Sequence, residues 1–233
     1  MEAVLFDIDG TLIRTGGAGV RAFARAAERL HGLPDGTAHM VFHGRTDTSL
    51  VREYLRHHGL PETTEEMDRF LGTYLGILEG MLAESAGETC PGAREFIASC
   101  RGLDRPPLIG LLTGNVRHGA ELKLRAHGLW GEFELGGYGD DHEDRDEVAA
   151  VAVRRVMERL GRTVRPQDVL VVGDTPRDVQ CARAVGARVL AVATGGFGLE
   201  ALRACEPDWL VETLDDFPAL FLRDSVRKQD VET

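Results

Sequence analysis

Short, unbroken apolar runs that stop at a turn and give way to a helical period constrain this chain more than any other feature. Ala3-Val4-Leu5-Phe6 contains no polar residue and ends in Asp7-Ile8-Asp9-Gly10-Thr11. So short a run, apolar at every position, suits a strand buried on both faces of a parallel sheet. Residues 108–112, 133–137, 169–172 and 188–192 repeat the pattern, the second of these weakly, and 209–211 offers a sixth. Helical periods fill the gaps at 93–100, 116–127, 147–160, 177–185 and 199–204. Strand alternating with helix at this spacing predicts an α/β fold, a doubly wound, Rossmann-like parallel sheet. Its ligand site is expected at the carboxyl edge of the strands.

Between about residues 16 and 88 the alternation stops, and three helical stripes follow one another with no strand between them. Val20, Phe23, Ala27 and Leu30 form the first; Leu50, Val51, Tyr54 and Leu55 the second. Met67, Phe70, Tyr74, Leu78 and Leu82 lead a long third, opened by a capping box from Thr63 to Glu66. This predicts an all-helical insertion at 16–88 within a sheet unit formed by 1–15 and 89–233. Gly16, Gly17 and Gly19 at the entry, and Gly87 with Pro91-Gly92 at the exit, suit hinges. Gly72, Gly76 and Gly80 recur every four residues and are expected to form a small face against a neighbouring helix. The polar tail from Arg223 to Thr233 is expected to fray.

Lys+Arg 27 against Asp+Glu 38 leaves a net charge of -11. The surface therefore repels nucleic acid and acidic membranes, neither of which is expected as a partner, and an anionic ligand requires a locally positive pocket. No apolar run nears the roughly 20 residues of a membrane span, and the first is too short for a signal peptide. The expected compartment is the cytoplasm. Cys90, Cys100, Cys181 and Cys205 form no CxxC pair and are expected to be reduced thiols rather than a zinc site.

Asp7 and Asp9 are two residues apart, so if the strand geometry continues, both carboxylates project to one side at the sheet's carboxyl edge. Two like charges so close raise one pKa unless a cation bridges them, and hard oxygen ligands suit magnesium. The fourth strand ends in Gly173-Asp174-Thr175-Pro176-Arg177-Asp178, a second acidic ending with Asp178 in the following helical turn. The second strand ends in Thr113-Gly114-Asn115. A hydroxyl, an unhindered amide and a side-chain amide before a helix N-terminus make a cradle for phosphate oxygens. A turn or an N-cap explains any one of these endings alone, but not three at successive strand ends.

Asp7-Ile8-Asp9-Gly10-Thr11-Leu12, Thr113-Gly114-Asn115 and the Gly173 to Asp178 segment resemble the first, second and fourth motifs of the haloacid dehalogenase superfamily of phosphatases. The resemblance is to the phosphoglycolate phosphatase-like branch, with a helical cap after the first motif, and runs to about Phe217. It implies a magnesium-dependent phosphomonoester hydrolase acting on a small phosphorylated metabolite. It implies that Asp7 attacks phosphorus to form an aspartyl-phosphate, while Asp9 protonates the leaving alcohol and then activates water. It also implies magnesium held by Asp7, the main-chain carbonyl of Asp9 and Asp174, with Asp178 supporting the ligand shell. Thr113, Gly114 and Asn115 would grip the equatorial oxygens. A carboxylate approaches a phosphate dianion only when positive charge neutralises both.

The family's third motif is a lysine or, less often, an arginine, and its usual Lys-Pro pair is absent here. Arg145 stands where that lysine would enter from the third strand. Lys123 lies two turns along the helix after Asn115, but Lys123 and Lys228 are the only lysines in a chain otherwise rich in arginine. That bias suggests a need for a compact ammonium. Lys123 is therefore expected to pair with Asp7, with Arg145 as a second cation for the phosphate. His43-Gly44-Arg45-Thr46-Asp47 resembles the cap loop that reaches over the site, so Arg45 is expected to meet a second anionic group of the substrate. His57 and His58 are expected to be solvent-facing residues at a helix end, and Thr194-Gly195-Gly196 a turn near the site. On the same fold, a phosphomutase also uses both aspartates, whereas a haloacid dehalogenase typically lacks the second. A phosphate receiver of the response-regulator kind needs far less chain and no helical insert. A monomer or homodimer is expected.

Overall fold

The structure is a computed structural model that describes residues 1–85 and 87–217. The tail expected to fray and Lys228 lie outside the described residues. In chain order the elements are β1 (Ala3–Phe6), β2 (Ile13–Arg14), α1 (Ala18–His31), α2 (Asp47–His57), α3 (Thr64–Glu84), β3 (Glu88–Thr89), α4 (Ala93–Arg101), β4 (Leu108–Leu112), α5 (Arg117–Ala126), β5 (Leu135–Gly137), α6 (Arg145–Leu160), β6 (Val169–Gly173), α7 (Pro176–Ala184), β7 (Arg188–Val192), α8 (Leu199–Arg203) and β8 (Trp209–Val211).

The main sheet runs β5-β4-β1-β6-β7-β8, and its pairings are parallel. Phe6 pairs with Leu111 on one side and Val172 on the other, which fixes β1 at the centre. The chain winds outward to β5, then returns to β6 on the far side of β1. The loops after β4 and β6 consequently diverge and open a crevice over the end of β1. Successive residues of a strand face opposite ways. Val4 and Phe6 pack into the core beneath α4 and α5, while Ala3 and Leu5 enter the core beneath α6 and α7. The expected doubly wound sheet is the observed one. Its third strand is shorter than the sequence suggests, because a 3-10 turn at Trp130–Glu132 leads into β5.

The three consecutive helices α1, α2 and α3 have a core of their own. Ala22, Phe23 and Ala26 of α1 meet Tyr54 of α2 and Phe70, Tyr74 and Leu78 of α3. The chain leaves the sheet layer through β2 and returns through β3 beside it, with Ile13 opposite Thr89 and Arg14 opposite Glu88. Gly72, Gly76 and Gly80 do not meet a neighbouring helix as expected. They sit on the outer face of α3 with nothing within 4 Å of where a Cβ would be. The apolar stripe of α3 buries the opposite face, which leaves the glycines to solvent. No helix among the described residues is long and apolar enough to cross a membrane.

Candidate active site

Three strand ends meet at the crevice. Asp7 continues β1 far enough for its N–H to donate to Val172 O at 2.9 Å, so its side chain emerges where β1 and β6 end together. Asp174 follows β6 directly, and Asp178 lies in the first turn of α7. The side-chain oxygens of Asp7, Asp174 and Asp178 lie within 4.8 Å of one another, and all three residues are buried. Gly10 permits the close approach of the loop after β1: its φ is 91°, and a Cβ there would stand 2.4 Å from Asp174 Oδ2. Thr11 Oγ1 donates to Asp174 Oδ1 at 2.9 Å.

Arg145, at the first position of α6, supplies the cation for this cluster. Its Nη2 donates to Asp7 Oδ1 at 3.0 Å and to Asp178 Oδ1 at 2.5 Å, with a longer bond to Leu112 O. The other oxygen of Asp178 accepts from Thr175 N at 2.9 Å and Thr175 Oγ1 at 2.7 Å, so Asp178 is held as an anchor rather than offered to a ligand. Burial pushes Asp7 up to about 6, against the pull of Arg145 and with the help of Asp178 and Asp9. Burial, then Asp178 and Asp7, drive Asp174 well above the usual carboxylate range. Crowded hard oxygens that resist ionisation together form a donor set suited to a small divalent cation.

Asp9 turns the other way. Its Oδ2 accepts from Lys123 Nζ at 2.6 Å and from Asn115 Nδ2 at 2.9 Å, while Lys123 also donates to Asn115 Oδ1 at 2.6 Å. Burial works to raise Asp9, but Lys123 and Asn115 outweigh it and hold the carboxyl below its ordinary value. The expected pairing of Lys123 with Asp7 is therefore corrected: Lys123 pairs with Asp9, and Arg145 takes Asp7. Lys123 reaches the edge because helical side chains lean toward the N-terminus and its four-carbon stem runs back along α5. Thr113 and Asn115 stand together at the end of β4, where Asn115 Nδ2 donates to Thr113 Oγ1 at 2.9 Å.

The helical layer sits directly on this edge. The N–H of Asp47 donates to Gly114 O at 2.8 Å, and Asp47 Oδ2 accepts from Val116 N at 2.9 Å. Thr46 Oγ1 and Thr48 Oγ1 donate to Glu143 O and Gly139 O at 2.7 and 2.6 Å. Between the layers lies a cavity of about 370 Å³. Asp7, Asp9, Thr113, Asn115, Lys123 and Asp174 line one wall; Val20, Phe23, Phe42, Arg45, Leu50 and Tyr74 line the other. The Arg45 guanidinium is bound by Glu53 and also approaches Ser49 O. Sequence reasoning gave no role to Thr11, Asp47 or Tyr74. Asp47 closes the loop segment expected to reach over the site, where only Arg45 was expected to act, and Tyr74 reads as one more apolar position of α3.

Residues 1–186 match the family model described as haloacid dehalogenase-like hydrolase. The chain is 29% identical over 220 residues to a phosphoglycolate phosphatase of Synechococcus elongatus, covering 93% of this chain and 95% of that one. It is 24% identical over 225 residues to the pyrophosphatase PpaX of Bacillus pumilus, covering 94% and 96%. Among solved structures it resembles a HAD hydrolase of family IA from Entamoeba histolytica, with a TM-score of 0.74 at 20% identity, covering 97% and 99% of the two chains.

Proposed function

Because the chain belongs to the haloacid dehalogenase-like hydrolase family, we propose that it is a phosphatase that hydrolyses a small phosphate monoester with magnesium and an Asp7 aspartyl-phosphate. The observation that carries this reading is the convergence of Asp7, Asp174 and Asp178 at one sheet edge, with Asp9 beside them on a separate cation. Asp7 and Asp174, with the main-chain carbonyl of Asp9, would hold the magnesium ion, and Asp178 would support that shell. When bound, the ion supplies the positive charge that a carboxylate and a phosphate dianion need in order to approach.

In the first transfer an Asp7 oxygen bonds to phosphorus, and the ester P–O bond breaks with its electron pair on the leaving oxygen. Asp9 gives that oxygen its proton. In the second, Asp9 takes a proton from water, the water oxygen bonds to phosphorus, and the Asp7 carboxylate is released. Asp9 at rest is held ionised by Lys123. A phosphate dianion that draws Lys123 toward itself removes that hold and raises the proton affinity of Asp9 as substrate arrives. Thr113, Gly114 and Asn115 grip the equatorial oxygens, and residues 16–88 act as a cap over the core formed by 1–15 and 89–233.

The names of the two relatives specify different substrates, so the choice of leaving group rests on the cavity. Arg14, Arg45 and Lys123, the arginines and lysine that line it, are already paired with Glu88, Glu53 and Asp9. The opposite wall is apolar at Val20, Phe23, Phe42 and Leu50. A second anion would have to displace Glu53 from Arg45. The apolar wall is therefore proposed to receive a neutral, partly apolar part of the leaving group, and the second anionic group expected at Arg45 would enter by displacing Glu53, as phosphate displaces Asp9 from Lys123. Hydrolysis of an aryl phosphate tests the reaction: phosphate release should require magnesium, stop with a chelator, and vanish in Asp7→Asn. Turnover that survives Asp7→Asn sinks the mechanism, and turnover that depends on an added sugar bisphosphate identifies a mutase instead.

A further inference from the structure

We infer that His39, His57 and His58 form a second metal site, on the helical layer, built for a borderline divalent ion such as Zn2+ and not for magnesium. His57 and His58 stand at the end of α2, and His39 stands on the segment joining α1 to α2. Nothing in the sequence spacing links His39 to the other two, yet one ring nitrogen of each lies within 4.8 Å of the others. His57 meets His58 edge-on with centroids 4.9 Å apart, whereas His39 lies face to face with His57 at 3.6 Å, so the exposed His39 ring would turn out of that stack to point its nitrogen at a shared ion.

The hydrogen bonding orients the group for a metal. His58 Nε2 lies 2.8 Å from Gly36 O. A carbonyl oxygen only accepts, so Nε2 is the donor and Nδ1 is the nitrogen left to face a metal. Metal-bound histidines are held in this way, with the second ring N–H given to a carbonyl or carboxylate. His39 and His57 are exposed, so a fourth position faces solvent. Neighbouring ligands on tetrahedral zinc stand closer than 4.8 Å, and the exposed rings would draw in by about 1 Å. Three imidazoles without a carboxylate ligand suit zinc, cobalt, nickel or copper, whereas the Asp7–Asp174–Asp178 cluster suits a hard ion.

The site would fasten a wall of the cavity. The segment that carries His39 continues through Phe42, His43 and Arg45, which line the cavity, to Thr46, which is already bonded to Glu143 O. A metal at the trio ties the near end of that segment to α2 as Thr46 ties the far end to the sheet layer.

The test uses untagged, full-length protein with excess Mg2+ to occupy the acidic cluster. Co2+ is titrated by its visible d–d absorption and Zn2+ by calorimetry. One equivalent of each should bind, Asp7→Asn should bind it equally, and His39→Ala and His57→Ala should each bind at least about tenfold more weakly. Zn2+ should raise the Tm of the parent and leave that of the variants unmoved. With a chelator present, parent and variants should melt together, since both side chains are exposed; this separates a lost ligand from a lost fold. Absence of Co2+ absorption in excess Mg2+, or equal uptake by His39→Ala, overturns the proposal.

Discussion

Arg145 and Lys123 show what a single residue's reach decides. The Arg145 side chain is 3% exposed and compensates two buried carboxylates, Asp7 and Asp178. Truncating one partner of a buried ion pair costs roughly 3–5 kcal/mol, because the charges left behind cannot be hydrated. Arg145→Ala should therefore lower the urea midpoint and abolish turnover together, and Arg145→Lys should restore part of both, since all three bonds leave from Nη2 alone and an ammonium can stand in its place. Lys123→Ala should cut kcat/KM by roughly a hundredfold or more. It should leave most of the stability, since its partner Asp9 is 42% exposed toward the cavity and can take up water. Steady-state kinetics and urea melts on the same preparations separate the two effects, and an Arg145→Ala protein of parental stability defeats the account. Asp7 and Asp174 were legible in the sequence because each directly follows an apolar strand; Asp9 and Asp178 were legible only through the motifs that contain them, and Asp9 turns away from the side that a continued strand would give it. The division between the two cations was not legible, because it depends on how far a long side chain runs along its helix.

At the scale of the element, α3 separates what a period reveals from what it conceals. Its apolar repeat foretold a helix and the face it buries, and Tyr74 and Leu78 are indeed in the helical core. The glycine repeat on the other face reads the same whether it packs or lies open. Here it lies open, so Gly72, Gly76 and Gly80 cost backbone entropy without a compensating contact. Replacing Gly72 or Gly76 with alanine should stabilise the protein by about 0.5–1 kcal/mol each, with a smaller gain at Gly80 near the helix end. Turnover should be unchanged, because this face points away from the cavity. Thermal melts by circular dichroism check the sign; a loss of stability in either mid-helix variant would mean that a second molecule packs on that face. The β2–β3 ribbon escaped the sequence for a simpler reason. Strands of two residues each are too short to show any period.

Across the whole molecule, the two layers are joined through the loop that runs from His43 to Asp47. Gly114 lets the loop before α2 lie on the strand edge, since a Cβ there would stand 2.0 Å from Arg45 O. Asp47 then fastens the contact by accepting from Val116 N, at a position only 8% exposed. Burial is the main cause that pushes Asp47 from 3.8 up to about 6, only partly opposed by Lys123. A carboxyl whose folded pKa is raised disfavours folding when ionised. Its burial cost is absent below about pH 4, grows as pH rises through the window to about 6, and stays constant above, reaching about 3 kcal/mol. Asp47→Asn keeps an oxygen to accept from Val116 N but has no charge to bury. Its Tm minus that of the parent should climb between pH 4 and 6, turn positive, and level off by pH 7. Asp47→Ala also removes the charge but leaves the Val116 N–H without its acceptor, so it should follow the same pH trend and stand about 1–3 kcal/mol below Asp47→Asn at every pH. Melting curves at several pH values and constant ionic strength distinguish the outcomes. A difference between Asp47→Asn and the parent that does not change with pH would show that Asp47 is hydrated in solution, and the layers would then be joined by the Thr46 and Thr48 bonds without it.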